Sequence, residues 1–292
     1  MSVSVIPNFT YLVPTNVDEA LEMLDQYQDR CKIIAGGTDV IPKMKGGVWA
    51  PEYLLSLKKV QELKYVTYDE ETGLHIGARM ILRELEANPI IQEKYPALWE
   101  GMHSIANTQI RNSGTVVGNI CNAVPSADTA PSLLALDAKI KIRSRKGERI
   151  VPIAEFFTGV CRTVVAPNEL VTEIQIPAPA ANSSCIYYKY SIRKALDLAM
   201  VGVAASVTVQ DGVCKDVKIG LGAVAATPVR AKTAEGILLG KKLTDELINE
   251  AALAACEHDC SPITDMRATK EYRKEMVRIL TRDAVKNCAA KA

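Results

Sequence analysis

The 292-residue sequence predicts an α+β fold in two domains. Up to Ile176, segments with the 3.6-residue period of amphipathic helices interleave with short apolar or alternating runs that read as strands. Pro177-Ala-Pro-Ala-Ala-Asn-Ser-Ser then has the composition of a linker. Beyond it, three strand-like runs precede three helical ones, the pattern of a three-stranded antiparallel sheet backed by helices. The boundary falls in the linker, giving domains of residues 1–178 and 183–292.

Composition narrows the function classes. With 35 basic residues against 34 acidic, net charge gives no electrostatic support for nucleic-acid or anionic-membrane binding. Met1 to Asn8 lacks a basic region and a long apolar core, and no run of about 18 apolar residues occurs, so a cytoplasmic protein without membrane insertion is expected. The eight cysteines are scattered, none in a C-x2-C or ferredoxin-type cluster. Cys256-Glu-His258-Asp-Cys260 is the one group with metal-like spacing, but His258 points away from the helix face shared by the two thiols, so a reduced core pair is the expectation.

Taken in order, Asn16 caps a helix whose apolar positions are Ala20, Leu21, Leu24 and Tyr27. Cys31 to Ala35 reads as a buried strand, broken by Gly36-Gly37-Thr38-Asp39 before Val40 to Met44 resumes. Strand, glycine turn and second element form the layout of a phosphate loop, although Gly-Gly is also an ordinary turn. Neither the Rossmann nor the Walker pattern fits. Tyr53 to Leu57, Tyr65 to Tyr68 and Leu74 to Ala78 read as strands, with His75 facing outward. Ile81 to Ala87 and Ile90 to Ile105 read as helices, with a possible break at Pro96 and His103 near an end; neither histidine has an evident partner. Ser132 to Ala138 continues a helix opened at Asp128. Lys139 to Ser144 and Arg149 to Ile153 form a hairpin with one solvated face, and Leu170 to Ile176 is another strand. In the second domain the strands are Cys185 to Ile192, Met200 to Val209 and Val213 to Val224. The helices there are Arg230 to Leu239, Thr244 to Glu257 and Ala268 to Ala289, the last with Tyr272, Met276, Ile279 and Leu280 on one face.

The stretch from Asn112 to Asp128 has too many small and turn-forming residues for an ordinary strand or helix. A loop in mid-domain is a candidate functional segment. Gly114 and Gly118 allow close backbone approach, while Asn119, Ser126 and Asp128 supply polar side chains, as a phosphate-and-ribose site requires.

The pairing of Lys32-Ile-Ile-Ala-Gly-Gly-Thr-Asp-Val with Gln109-Ile-Arg-Asn-Ser-Gly-Thr-Val-Val-Gly-Asn-Ile, about 80 residues apart, closely resembles the FAD-binding subunit of molybdenum hydroxylases. That family includes xanthine dehydrogenase, nicotinate dehydrogenase and carbon monoxide dehydrogenase. The resemblance covers the whole chain, and Ser126-Ala-Asp-Thr-Ala-Pro tilts it towards xanthine dehydrogenase and hence purine metabolism. It implies a PCMH-type FAD domain of two α/β lobes, followed by a C-terminal domain closing over the flavin. It further implies that Ile33, Ile34, Ala35, Gly36, Gly37, Thr38, Asp39 and Val40, with Thr115, Val116, Val117, Gly118 and Asn119, embrace the FAD diphosphate. Asp128 would bind an FAD hydroxyl, Ala106 would line its path, and Leu170, Val171 and Lys189 would sit by the flavin or its tail. The chain departs from the pattern of the family it resembles in carrying Val117-Gly118 where Gly-Gly commonly precedes the asparagine, and valine avoids positive φ, which leaves the contact at that position open.

The implied activity is electron relay. Non-covalent FAD would take electrons from 2Fe-2S clusters on an iron–sulfur subunit and pass hydride to NAD, with substrate oxidised on a molybdopterin-binding subunit, in a dimer of heterotrimers. No residue of this chain need act as catalytic acid or base, and neither a molybdenum-cofactor motif nor an iron–sulfur cysteine set is present in it. A self-sufficient flavin oxidase of the same fold and a non-catalytic scaffold subunit are the competing readings. A second domain of about 110 residues without an evident catalytic pair weighs against the first, and only Val117 speaks for the second.

Overall fold

A computed structural model of the protein describes residues 6–292; most of the N-terminal stretch read above as lacking a leader lies outside them. The first lobe is built on a three-stranded parallel sheet in the order Thr10–Leu12, Tyr53–Ser56, Cys31–Ile34. The helix Val17–Tyr27 crosses between strands, capped by Asn16, whose Oδ1 accepts the Glu19 amide at 2.8 Å. It buries Val17, Ala20, Leu21 and Leu24 against the core. After the glycine turn the chain enters a short helix, Val40–Lys45.

The second lobe carries a five-stranded antiparallel sheet in the order Val66–Asp69, Gly73–Gly77, Leu170–Ile176, Lys139–Ser144, Gly147–Pro152. Short helices cover it. Tyr95, with no room to continue the helix Pro89–Lys94 into Pro96–His103, marks the expected proline break. A small hairpin, Phe157–Gly159 with Arg162–Thr163, is too short to have shown in the sequence, as is the edge strand Thr10–Leu12.

The C-terminal sheet contains the three expected strands, Ser183–Tyr190, Val201–Gln210 and Val213–Gly222, but gains a fourth, the two-residue Val229–Arg230. The expected helix at Arg230 therefore starts only at Lys232, because Arg230 pairs with Gly220 in the sheet. Helices Asp245–His258 and Lys270–Ala289 complete the domain. The last helix buries Arg273, Val277, Thr281, Ala284, Val285 and Cys288, a face rotated from that expected, while Tyr272 stays 45 % exposed. The rotation follows from Arg273. Its guanidinium reaches inward to the Met200 carbonyl at 2.6 Å and to Asp265 Oδ1 at 2.9 Å, and so takes a core position from an apolar residue.

The main core of the first domain draws on residues from Val17 to Ile176, and that of the second on residues from Val201 to Cys288. Between them lies the helix Thr129–Ala135, every residue of which is buried, packed on strands of the C-terminal sheet. The backbones approach so closely that a Cβ on Gly220 would stand 2.1 Å from the Pro131 carbonyl oxygen.

The histidines do have partners. His75 Nδ1 lies 3.2 Å from Glu173 Oε1, and His103 Nδ1 lies 2.9 Å from Glu86 Oε1. The carboxylates lie 98 and 17 residues away in the sequence, in other elements, which periodicity does not reveal. Cys256 and Cys260 are buried, the second thiol directed at the Cys256 carbonyl oxygen, while His258 is exposed.

Candidate cofactor site

A cleft of about 730 Å³ runs along the first domain beneath the edge of the second, within the usual size of small-molecule sites. Two glycine turns meet at its wall. Gly37 takes φ +75°, and a Cβ on Gly36 would lie 1.8 Å from the Ser113 carbonyl oxygen. From the other side, a Cβ on Gly114 would lie 3.6 Å from Thr38 Oγ1. The two turns are thus packed on each other, and only glycine permits it at Gly36.

The second turn is more regular than its composition suggests. Residues Val116–Asn122 form a helix capped by Thr115, whose Oγ1 accepts the Gly118 amide at 2.9 Å. Val116, Val117 and Ile120 are buried, and that burial overrides the weak helical propensity of the segment. Val117 needs no positive φ here, so the departure from the Gly-Gly pattern is accommodated inside a helix. Asn119 is fixed by the Thr129 hydroxyl at 2.6 Å.

Of the residues singled out from the sequence, Ile33, Ala35, Gly36, Gly37, Thr38, Asp39, Val40, Ala106, Thr115, Val117, Gly118, Asn119, Asp128, Leu170 and Val171 line this cleft. Three others do not. Ile34 turns its side chain under the glycine turn, its Cδ1 lying 3.1 Å from where a Gly37 Cβ would be. Val116 faces the core. Lys189 stands behind Asp128: its ammonium donates to Asp128 Oδ2 at 2.8 Å and to the Ser104 carbonyl at 3.0 Å.

Asp128 is held from the second domain on both oxygens, since the Tyr187 hydroxyl donates to Oδ1 at 3.1 Å. Burial raises the Asp128 carboxyl above the ordinary carboxylate range, opposed by the Lys189 charge and by hydrogen bonds from Lys189 and Tyr187. The Tyr187 phenol is pushed well above its usual value by burial and by the neighbouring carboxylate. Asp39 is likewise raised by burial, against the pull of Lys43; its Oδ1 accepts from Asn122 Nδ2 at 2.7 Å.

Sequence reasoning missed several residues of the wall. Lys32 and Trp49 both line it, and the ammonium groups of Lys32 and Lys43 lie 5.5 and 4.2 Å from the Trp49 ring centroid. They bring two ammonium groups to this end of the cleft, where Asp29 and Asp39 of the same wall offset them. Leu196, Asp197 and Leu198, from the loop after Tyr190, overhang the cleft from the second domain; nothing in their local pattern marks them.

Comparison with known proteins shows the family and the fold. Residues 7–179 match the family described as FAD binding domain in molybdopterin dehydrogenase, and residues 186–288 match the CO dehydrogenase flavoprotein C-terminal domain. The chain is 34 % identical to the glyceraldehyde dehydrogenase medium chain of Sulfolobus acidocaldarius, over 97 % of this chain and 99 % of that one. It is 32 % identical to the xanthine dehydrogenase FAD-binding subunit of Escherichia coli O157:H7, covering 90 % of each. A solved chain of carbon monoxide dehydrogenase from Hydrogenophaga pseudoflava superposes with a TM-score of 0.94 at 33 % identity, covering 99 % of both chains. The chain belongs to the FAD-binding medium subunits of the molybdenum hydroxylase family.

The residues present fit an FAD. The cleft is of sufficient size, and two glycine turns packed on each other form part of its wall. Its lining combines apolar Ile33, Leu170 and Val171 with the polar Asn119, Ser126 and Asp128.

Proposed function

We propose that this chain is the FAD-carrying electron-transfer subunit of a complex of the xanthine dehydrogenase kind, taking electrons from 2Fe-2S clusters on a partner and passing hydride to NAD. The observation that carries the reading is the cleft walled by two glycine turns packed on each other and overhung along one side by the second domain. When bound, FAD supplies both single-electron and hydride chemistry. The chain's own residues bind and orient it. The backbone of residues 36–38 and 115–118 takes the diphosphate, Lys32 supplies positive charge beside it, Asp128 receives a hydroxyl, and Leu170 and Val171 exclude water. The relatives above are named for glyceraldehyde, xanthine and carbon monoxide in similar measure. The xanthine reading therefore rests on the Ser126 to Pro131 motif alone, and NAD as acceptor rests on the same branch. Substrate oxidation belongs to a molybdopterin-binding partner in this reading, the whole forming a dimer of heterotrimers in the cytoplasm.

The test uses the purified chain with FAD. NADH should bleach the flavin absorbance and an added dye should restore it, while xanthine should be oxidised only after the iron–sulfur and molybdenum subunits are added. Xanthine oxidation by the single chain would favour the self-sufficient oxidase. An FAD-loaded chain inert to NADH would remove NAD as acceptor, and a chain that takes up no FAD would leave only the scaffold reading.

A further inference from the structure

Beside the cleft wall lies a buried ion pair that the electron relay does not use. Glu86 and Arg111 are only 3 % and 8 % exposed. Arg111 Nε donates to Glu86 Oε2 at 3.0 Å, and Glu86 is held in turn by His103 on its other oxygen. Trp99 Nε1 and Gln92 Nε2 fix the Glu86 backbone carbonyl at 3.0 and 2.6 Å. A buried ion pair is an expensive way to join helices, since an apolar pair of similar volume does so at no electrostatic cost. What distinguishes this one is the remaining arm of the guanidinium: Nη1 donates to the Ile105 carbonyl at 2.9 Å.

Ile105 and Ala106 line the cleft, and Ala106 takes φ +44°, a left-handed conformation that L residues with a Cβ avoid. Such a conformation persists where its surroundings over-determine it. Here two cations hold the two carbonyls that precede it. Lys189 of the second domain holds the Ser104 carbonyl, and Arg111 holds the Ile105 carbonyl. Arg111 also ends the short helix that leads into Gly114 of the second glycine turn.

We propose that Arg111, anchored by Glu86, is a positioning residue for the flavin nucleotide: it locks the left-handed turn at Ala106 that forms one wall of the cleft. The guanidinium is suited to this because its planar fork binds the carboxylate and the carbonyl at once, which a lysine ammonium on a flexible stem does less well. The inference rests on the FAD reading above and adds a role that touches neither flavin nor substrate.

Flavin-free protein titrated with FAD, followed by flavin fluorescence and by visible-region circular dichroism, tests it. Removing both charges with Glu86→Gln and Arg111→Met leaves no unpaired buried ion, and that double variant should fold yet bind FAD at least tenfold more weakly, with an altered flavin dichroism. Ala106→Gly added to it should recover threefold or more of the loss, because glycine enters the left-handed region freely; a pair that merely joined helices would give no such rescue. Arg111→Lys, with and without Ala106→Gly, carries the same test should the double variant not fold. FAD affinity within twofold of native in the folded variants, or no recovery with glycine, overturns the proposal. Failure of the native chain itself to bind FAD would instead overturn the functional reading on which it rests.

Discussion

A methyl group at residue 36 has no place to go. Its carbon would stand 1.8 Å from the Ser113 carbonyl oxygen, and both partners are backbone, so the two glycine turns must part to admit it. Gly36→Ala should therefore abolish FAD retention through purification, measured as flavin absorbance per chain, while leaving the far-ultraviolet dichroism unchanged; a flavin content equal to native would show that the turns are not coupled. A second residue reports on pH. The Asp265 carboxyl is held down to about 2, chiefly by the Arg267 amide, with Arg273 and the Ala268 amide adding to it and burial opposing. Its folded value lies below the unfolded 3.8, so its contribution is complete above that value and is lost as pH falls towards 2. Asp265→Asn should lower the melting temperature by about 3 °C at pH 7, and the gap should close as both proteins are taken below pH 4. A gap independent of pH would assign the effect to geometry alone. At this scale the glycines and Asp128, which line the cleft, were legible in the sequence because their chemistry is local. Ile34, Val116 and Lys189 do not line the cleft, and a run of motif residues carries no information about which side chains point inward.

Among the elements, the helix Val116–Asn122 was hidden by its own composition. Gly118, Asn119 and Asn122 are poor helix formers, and the turn holds because Thr115 caps it and three side chains bury on the core. The remedy was in the sequence: Thr115 precedes two apolar residues, which is a start signal that the surrounding small residues outweighed. Thr115→Ala should cost about 1 kcal/mol in denaturant unfolding, and should weaken FAD binding as well, since the cap sits in the cleft wall. Loss of stability with unaltered FAD affinity would separate the cap from the site. The long final helix shows the opposite error. Its period was legible, but its phase was not, because the residue that turns inward is Arg273 and its partners, Met200 and Asp265, are unreadable from a helical pattern.

The whole molecule is held together less by its linker than by helices of the first domain packed on the sheet of the second, chief among them one that the two domains share. Residues Thr129–Ala135 are buried on all sides, the first domain contributing the helix and the second the sheet that covers it. At one margin Asp137 receives Arg230 at 2.9 Å and Lys218 at 3.2 Å, and at the other Asp128 receives Lys189 at 2.8 Å. The Asp137 contacts are half exposed and contribute little. The apolar contact dominates, and its closeness depends on Gly220 lying flat on Pro131. A specific protease site inserted between Ala180 and Ala181, in the exposed linker, should accordingly be cut without separating the pieces, which should co-elute in gel filtration even at high salt and still retain FAD. Gly220→Val in the same background should release the C-terminal piece, because its Cβ would meet the Pro131 carbonyl at 2.1 Å with backbone on both sides. Flavin should leave with the separation, since the second domain supplies both groups that orient Asp128. Two pieces that part on cleavage of the otherwise native chain would show that the linker, and not the shared helix, maintains the cleft.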